Sequence, residues 1–285
     1  MIRVQNLRRR AVRWAGAALL ALGWLGATGV PGAADPALEA CGNPNLPAHD
    51  TLTQCQQALR NPRLAPEQRA AVLVNLGVAQ AAMDRHGDAV RSYGLAIATV
   101  PNLAAAYANR ARSHMAQGRM ADAERDFSKP IEIAPREPDA WLGRGALFLR
   151  VGQPLAAEAD LSKALALRPE SGIGLFNRGL ARLALARNRE AAADFTAVIR
   201  EYPDDAGAHM NRGRALAGSD PAGAAADFDR AIALAPDWGA AYLGRGHFRD
   251  SRGQTEAANA DFLRAHELGV VDQWLSERVR RISGG

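Results

Sequence analysis

Pro101, Pro135, Pro169, Pro203 and Pro236 stand 34, 34, 34 and 33 residues apart, and Gly77, Ala111, Gly145, Gly179, Gly213 and Gly246 keep the same rhythm. Nothing else constrains this chain so tightly. Self-similarity at a fixed period of this size means stacked supersecondary units, each too small to bury its apolar face alone. The stretch before each proline is nearly the same: AERDFSKPIEIAP, AEADLSKALALRP, AAADFTAVIREYP and AAADFDRAIALAP, with ANADFLRAHELGV closing the series. Each unit holds two amphipathic stretches. Tyr107, Arg110, Ala111 and His114 fall at i, i+3, i+4 and i+7, one face of a first helix. A turn follows, marked by Gly118, Gly152 or Gly253, and in the second helix Ala123 and Phe127 lie one turn apart. Proline ends the unit because it cannot continue a helix and drives its predecessor out of one.

In the unit starting at Pro138 the pattern reads Trp141, Gly145, Phe148, Ala157, Leu161, Ala164 and Pro169; in that starting at Gly239 it reads Tyr242, Gly246, Ala258, Phe262 and Ala265. On these residues the chain resembles the tetratricopeptide repeat proteins. The resemblance implies an all-α, right-handed superhelical solenoid of about six helix-turn-helix units with terminal capping helices. The expected units are 70–103, 104–137, 138–171, 172–205, 206–238 and 239–269, between an N-terminal capping segment, 35–69, and a C-terminal capping helix within 270–285. Three departures stand out. The fifth unit is one residue short near Gly218, the sixth lacks its proline, and Pro130 sits inside the second helix of the second unit, where a kink is expected.

Arg110, Arg144, Arg178, Arg212 and Arg245 recur one residue before the small-residue position, and Asp126, Asp160, Asp194, Asp227 and Asp261 recur in the second helix. The first unit has Leu76 and Ser92 there and lacks both charges together, so each Arg is expected to meet the Asp of its own unit as a structural pair. An anion-binding ladder of the five Arg is the competing reading.

Arg3, Arg8, Arg9, Arg10 and Arg13 precede the first acid, Asp35, and an uncharged apolar run, Trp14 to Val30, lies between them. A basic start, a short apolar stretch and small residues up to Ala34 form a secretory signal peptide over 1–34. An uncleaved membrane anchor is the alternative. Cleavage after Ala34 leaves 30 basic residues against 30 acidic ones, so the excess charge belongs to the targeting segment and argues for no nucleic-acid partner. The mature chain is expected in the periplasm without membrane insertion. Export exposes Cys41 and Cys55 to an oxidising compartment, and a disulfide is expected; a lipid on Cys41 or metal binding are the alternatives.

His49, His86, His114, His209, His247 and His266 are dispersed, with no HExxH, GxSxG or GxxxxGK[ST] pattern, so no catalytic residue, metal or cofactor is assigned. What remains is the surface left after packing. Asn75, Asn109, Asn177 and Asn211 share one repeated position on the first helix, with Gly143 and Gly244 in the other two units. Stacking would line them along a concave groove, and the resemblance implies that such asparagines face bound peptide. Phe176, Met210, Leu142 and Leu243 offer apolar pockets nearby, and Arg112, Arg150 and Arg214 positive points. The reading is a non-enzymatic adaptor of the cell envelope that binds a peptide or helix of another protein. A non-catalytic or ligand-binding subunit of an envelope enzyme or polysaccharide-export complex is the alternative.

Overall fold

The computed structural model describes residues 35–284; the expected signal peptide over 1–34 lies outside the described residues. Fifteen helices and no strand occur among the described residues. Contacts divide the chain into two compact units, one ending at Val151 and the other beginning at Gly152. The division falls in the turn inside the third repeat.

The N-terminal unit contains α1 (Pro36–Cys41), α2 (Ala48–Ala58), α3 (Pro66–Ala82), α4 (His86–Thr99), α5 (Ala104–Ala116), α6 (Met120–Ile133) and α7 (Pro138–Arg150). The C-terminal unit contains α8 (Pro154–Leu167), α9 (Gly172–Ala184), α10 (Asn188–Glu201), α11 (Ala206–Leu216), α12 (Pro221–Leu234), α13 (Gly239–Asp250), α14 (Thr255–Glu267) and α15 (Gln273–Ser283). In each unit successive helices pack on one another, and α3, α5, α7, α9, α11 and α13 are the first helices of the repeats.

Local chemistry sets the helix ends. Pro66, Pro138, Pro154 and Pro221 open helices, where a missing N–H costs nothing. Asp35, Ser171, Asp205, Asp220 and Asp272 accept backbone N–H groups as N-caps. Val100, Ala134, Arg168, Tyr202 and Ala235 each precede a repeat proline and leave the helical region, with φ between −126° and −142°. The sixth repeat has no such proline and ends instead at Gly269, at φ 79°. Within the repeats the turn passes through the left-handed region at Asp84, Gly118, Gly152, Ala186 and Gly253. The fifth repeat, one residue shorter, has no such residue. Its α11 ends at Leu216, and Ala217 stays right-handed at φ −50°. Helix α6 runs on through the buried Pro130, whose carbonyl accepts the Ala134 N–H at 2.8 Å.

The core repeats with the sequence. Tyr93, Phe127, Leu161, Phe195, Phe228 and Phe262 occupy one position of the second helices, and all are at most 1% exposed. Burying such a side chain stabilises by about 1.5–3 kcal/mol. The side chain packs close against the first helix of its own repeat, so a Cβ at Gly179 would come within 2.7 Å of Phe195, and one at Gly246 within 2.6 Å of Phe262. That contact explains the small-residue rhythm.

Both ends are covered. Cys41 and Cys55 form a disulfide and pack with Ala37, Ala58, Val72 and Leu76 against α3. Asp35 accepts from Asn61 Nδ2 at 3.1 Å, a bond that holds its carboxyl below the ordinary range. At the other end Leu275 is fully buried with Leu243, Phe262 and Ala265. Trp274 stacks beside His247 at 4.6 Å and edge-on to Phe262 at 5.1 Å.

Candidate functional site

The repeated charges lie between the two helices of a repeat. Arg110 grips Asp126 with two bonds of 2.7 and 2.8 Å, Arg178 grips Asp194 at 3.1 and 2.7 Å, Arg212 grips Asp227 at 2.7 Å twice, and Arg245 grips Asp261 at 3.0 and 2.7 Å. These planar two-point contacts match a guanidinium to a carboxylate. The bonds to Asp126 and Asp227 raise the Arg110 and Arg212 guanidiniums above their ordinary range. The aspartates are buried. Arg144 and Asp160 belong to different units; within its own unit Arg144 donates to Ser128 Oγ at 3.1 Å and lies over the Trp141 ring at 5.3 Å. In the first repeat Ser92 Oγ donates to Gln80 Oε1 at 2.7 Å instead.

Further members of this network escaped the sequence reading. Arg182 reaches both Asp194 at 2.8 Å and Glu158 at 3.1 Å, Arg187 reaches Glu158 at 2.6 Å, and Arg249 reaches Asp261 at 2.9 Å. The signal was present as a second arginine four residues after Arg178 and Arg245, on the same helical face. His209 also joins it, with Nδ1 2.8 Å from Asp227 Oδ1 and Nε2 donating to the Pro203 carbonyl at 3.0 Å. Trp141 Nε1 and the Tyr242 hydroxyl cap the carbonyls of Pro135 and Pro236 in the same way, so His209 is a packing residue. With their carboxylates bound, these paired arginines have little left for a ladder of anions.

The surface outside this network is a strip along each first helix. On α9 Ile173, Asn177, Leu180 and Ala184 are all at least partly accessible and fall at i, i+4, i+7 and i+11, one face of the helix. The same spacing gives Gly207, the buried Asn211 and Arg214 on α11, and Ala240, Gly244 and His247 on α13. The four asparagines of the row behave differently. Asn75 Nδ2 donates to the Cys41 carbonyl at 3.3 Å and so helps seat the N-terminal cap. Asn211 is buried; its Nδ2 donates to Gly207 O at 2.9 Å, and its Oδ1 accepts from Arg214 Nη1 at 3.1 Å. Asn109 is buried too, and its Oδ1 accepts from Arg112 Nη1 at 2.9 Å. Asn177 is half-buried and makes no side-chain hydrogen bond among the described residues. Phe176 is half-buried edge-on against Phe195, Met210 is buried against Phe228 and Phe248, and Arg214 is exposed. Thus the strip is open around Asn177 and Arg214, while Asn109, Asn211 and Met210 turn inward because their own helix and its neighbours use them.

Among the described residues no group of three or more His, Cys, Asp or Glu side chains is placed to hold a metal ion, and no helix is long and apolar enough to cross a membrane.

The sequence profile of the tetratricopeptide repeat family matches residues 108–172 and 176–237. A solved tetratricopeptide repeat protein from Parabacteroides merdae matches with a TM-score of 0.61 at 22% identity, over 82% of this chain and 91% of that one. PilW, a widely conserved type IV pilus biogenesis factor, matches with a TM-score of 0.66 at 17% identity, over 74% of this chain and 99% of its own. YrrB, a repeat protein of this kind with an unusual peptide-binding site, matches with a TM-score of 0.54 at 21% identity, over 64% and 93%. No match was found among curated protein sequences. The helical solenoid is common to all three solved structures.

Proposed function

We propose, for a chain that is a tetratricopeptide repeat protein, that it is a non-enzymatic interaction scaffold of the cell envelope and holds a segment or helix of another protein along its first-helix strips. Asn177 carries the reading. It is half-buried, its amide has no partner among the described residues, and Ile173 and Leu180 flank it on the same face. An amide offers both a donor and an acceptor, so it can pair with a peptide backbone of any sequence while the aliphatic neighbours take a side chain. Arg214 adds an exposed positive charge in the same unit.

Two observations support an envelope setting. The basic and then apolar stretch over 1–34 reads as a targeting segment, and Cys41 is bonded to Cys55, as an oxidising compartment favours. Among structures of the same fold, one belongs to a pilus biogenesis factor and another carries a peptide-binding site. The test is a double variant, Asn177→Ala with Arg214→Ala, expressed from the native locus. Neither side chain contributes to the Arg–Asp pairs, so the helical content should be unchanged while co-purification of the partner drops about tenfold or more. Undiminished recovery of the partner would refute the assignment to this strip.

A further inference from the structure

His114, in the last turn of α5, is 5% exposed. Its Nδ1 has no hydrogen-bond partner among the described residues, and its Nε2 lies 3.6 Å from Asp126 Oδ2, too far for a hydrogen bond. The same position of the other repeats holds Gln80, Phe148, Arg182, Leu216 and Arg249. None of these changes charge between pH 5 and 8. Arg182 and Arg249 use the position to give the aspartate of their repeat a second, permanent cation, at 2.8 and 2.9 Å. In the second repeat Arg110 already grips both oxygens of Asp126, and the slot behind it holds a ring that can be neutral or charged. The other buried histidine is placed differently. One nitrogen of His209 faces Asp227 at 2.8 Å and the other the Pro203 carbonyl at 3.0 Å, so both ring protons have acceptors.

We propose that His114 makes the second repeat a pH-sensitive joint, in which a second proton on the buried ring loosens α5 from α6. A neutral imidazole carries one N–H and can point it toward Asp126, leaving Nδ1 bare. Charging the ring puts a second N–H on Nδ1, where no acceptor waits, and a buried donor left unpaired is unfavourable. Burial holds the His114 imidazole below the ordinary histidine range, and Arg119 and Arg110 push the same way against the pull of Asp126 and Asp122. Helix α5 also packs on α3, α4 and α7, whose charged groups are largely engaged. Arg69 of α3 donates to the Leu59 and Asn61 carbonyls, and Asp88 of α4 is taken by Arg85 and Arg91. His86 sits 3.2 Å from Asp84, Arg144 of α7 donates to Ser128, and Asp139 draws on Arg112. Glu67 and Arg150 complete the set, in the first turn of α3 and the last turn of α7. The sign follows from linkage. A histidine held below its unfolded value is neutral in the fold, so its contribution to stability is complete above about pH 6.5 and is lost as the pH falls from there, because the opened chain takes up the proton first.

The experiment follows amide hydrogen exchange of the full chain between pH 7.5 and 5.5, corrected for the intrinsic rates. Opening of α5 and α6 should rise by about tenfold for each pH unit below about 6.5, the limit for one proton. Helix α9 belongs to a repeat without histidine and should not respond. His114→Gln installs the residue that the first repeat carries at this position, Gln80, and should abolish the pH dependence of α5 and α6 while leaving their exchange at pH 7.5 unchanged. A titration of the His114 ring by nuclear magnetic resonance keeps the proposal open to refutation even if that variant folds poorly; its midpoint should lie below the ordinary histidine range. Three results would overturn the joint: a midpoint above that range, the same acid response in His114→Gln as in the wild type, or equal acceleration at α9. The scaffold reading stands apart from all three, since it rests on Asn177 in another repeat.

Discussion

Asp194→Ala should lower the stability of the chain by about 3–5 kcal/mol, because it leaves Arg178 without its carboxylate and takes from Arg182 one of the two that hold it. The Asp194 carboxylate is 4% exposed, Arg178 and Arg182 are 19% and 16% exposed, and both donate to it. Removing one member of a buried ion pair leaves charge without compensation, which costs far more than the intact pair contributes. Arg178→Ala should cost less, since Arg182 keeps its bond to Asp194 and Glu158 keeps Arg182 in place. Asp122, which lies at the surface between Arg119 and Arg125 on α6, provides the contrast; its alanine variant should barely move the transition. Urea denaturation of the three variants reads the order directly. A midpoint for Asp194→Ala equal to that of the wild type would mean that the charge cluster is solvated and contributes no structural restraint.

The second large effect concerns the N-terminal cap. Helix α1 has only six residues, too few to persist alone, and it is tied down by the Cys41–Cys55 bond, by Asp35 to Asn61 and by Asn75 to the Cys41 carbonyl. Closing a loop of this size stabilises by about 3 kcal/mol in the chain-entropy picture. Replacing both cysteines with serine should remove about that much and also place two hydroxyls among Ala37, Ala58, Val72 and Leu76. Hydrogen exchange should then report lost protection over α1 and α2, with α9 to α14 unaffected. Uniform loosening of the whole chain would contradict a local cap.

Much of the architecture was legible in the letters because it rests on short-range rules. Each repeat proline forces its predecessor out of the helix, and the ring packed against Gly179 or Gly246 would clash with a Cβ there. Pairing of Arg with Asp across a repeat could be read because the first repeat lacks both. The asparagine row was harder. Asn109 and Asn211 are followed three residues later by Arg112 and Arg214, whose guanidiniums take the amide oxygen, whereas Asn177 is followed by Leu180, which has nothing to offer it. The same letter at the same position is therefore consumed in two repeats and available in a third. Only the i, i+3 neighbour, which is one turn away on the helix, distinguishes them. Glu158 could not be assigned from its own repeat at all, since its partners Arg182 and Arg187 come from the next one.

The most direct test of the account is photo-crosslinking in cells from two positions of the C-terminal unit. Asn177 lies on the first-helix strip, and Leu155, which is 64% exposed, lies on a second helix. A discrete crosslinked protein is expected from position 177, competed by excess unlabelled chain, and none from 155. The same product from both positions, or from 155 alone, would contradict the claim that the first-helix strip is where this protein holds its partner.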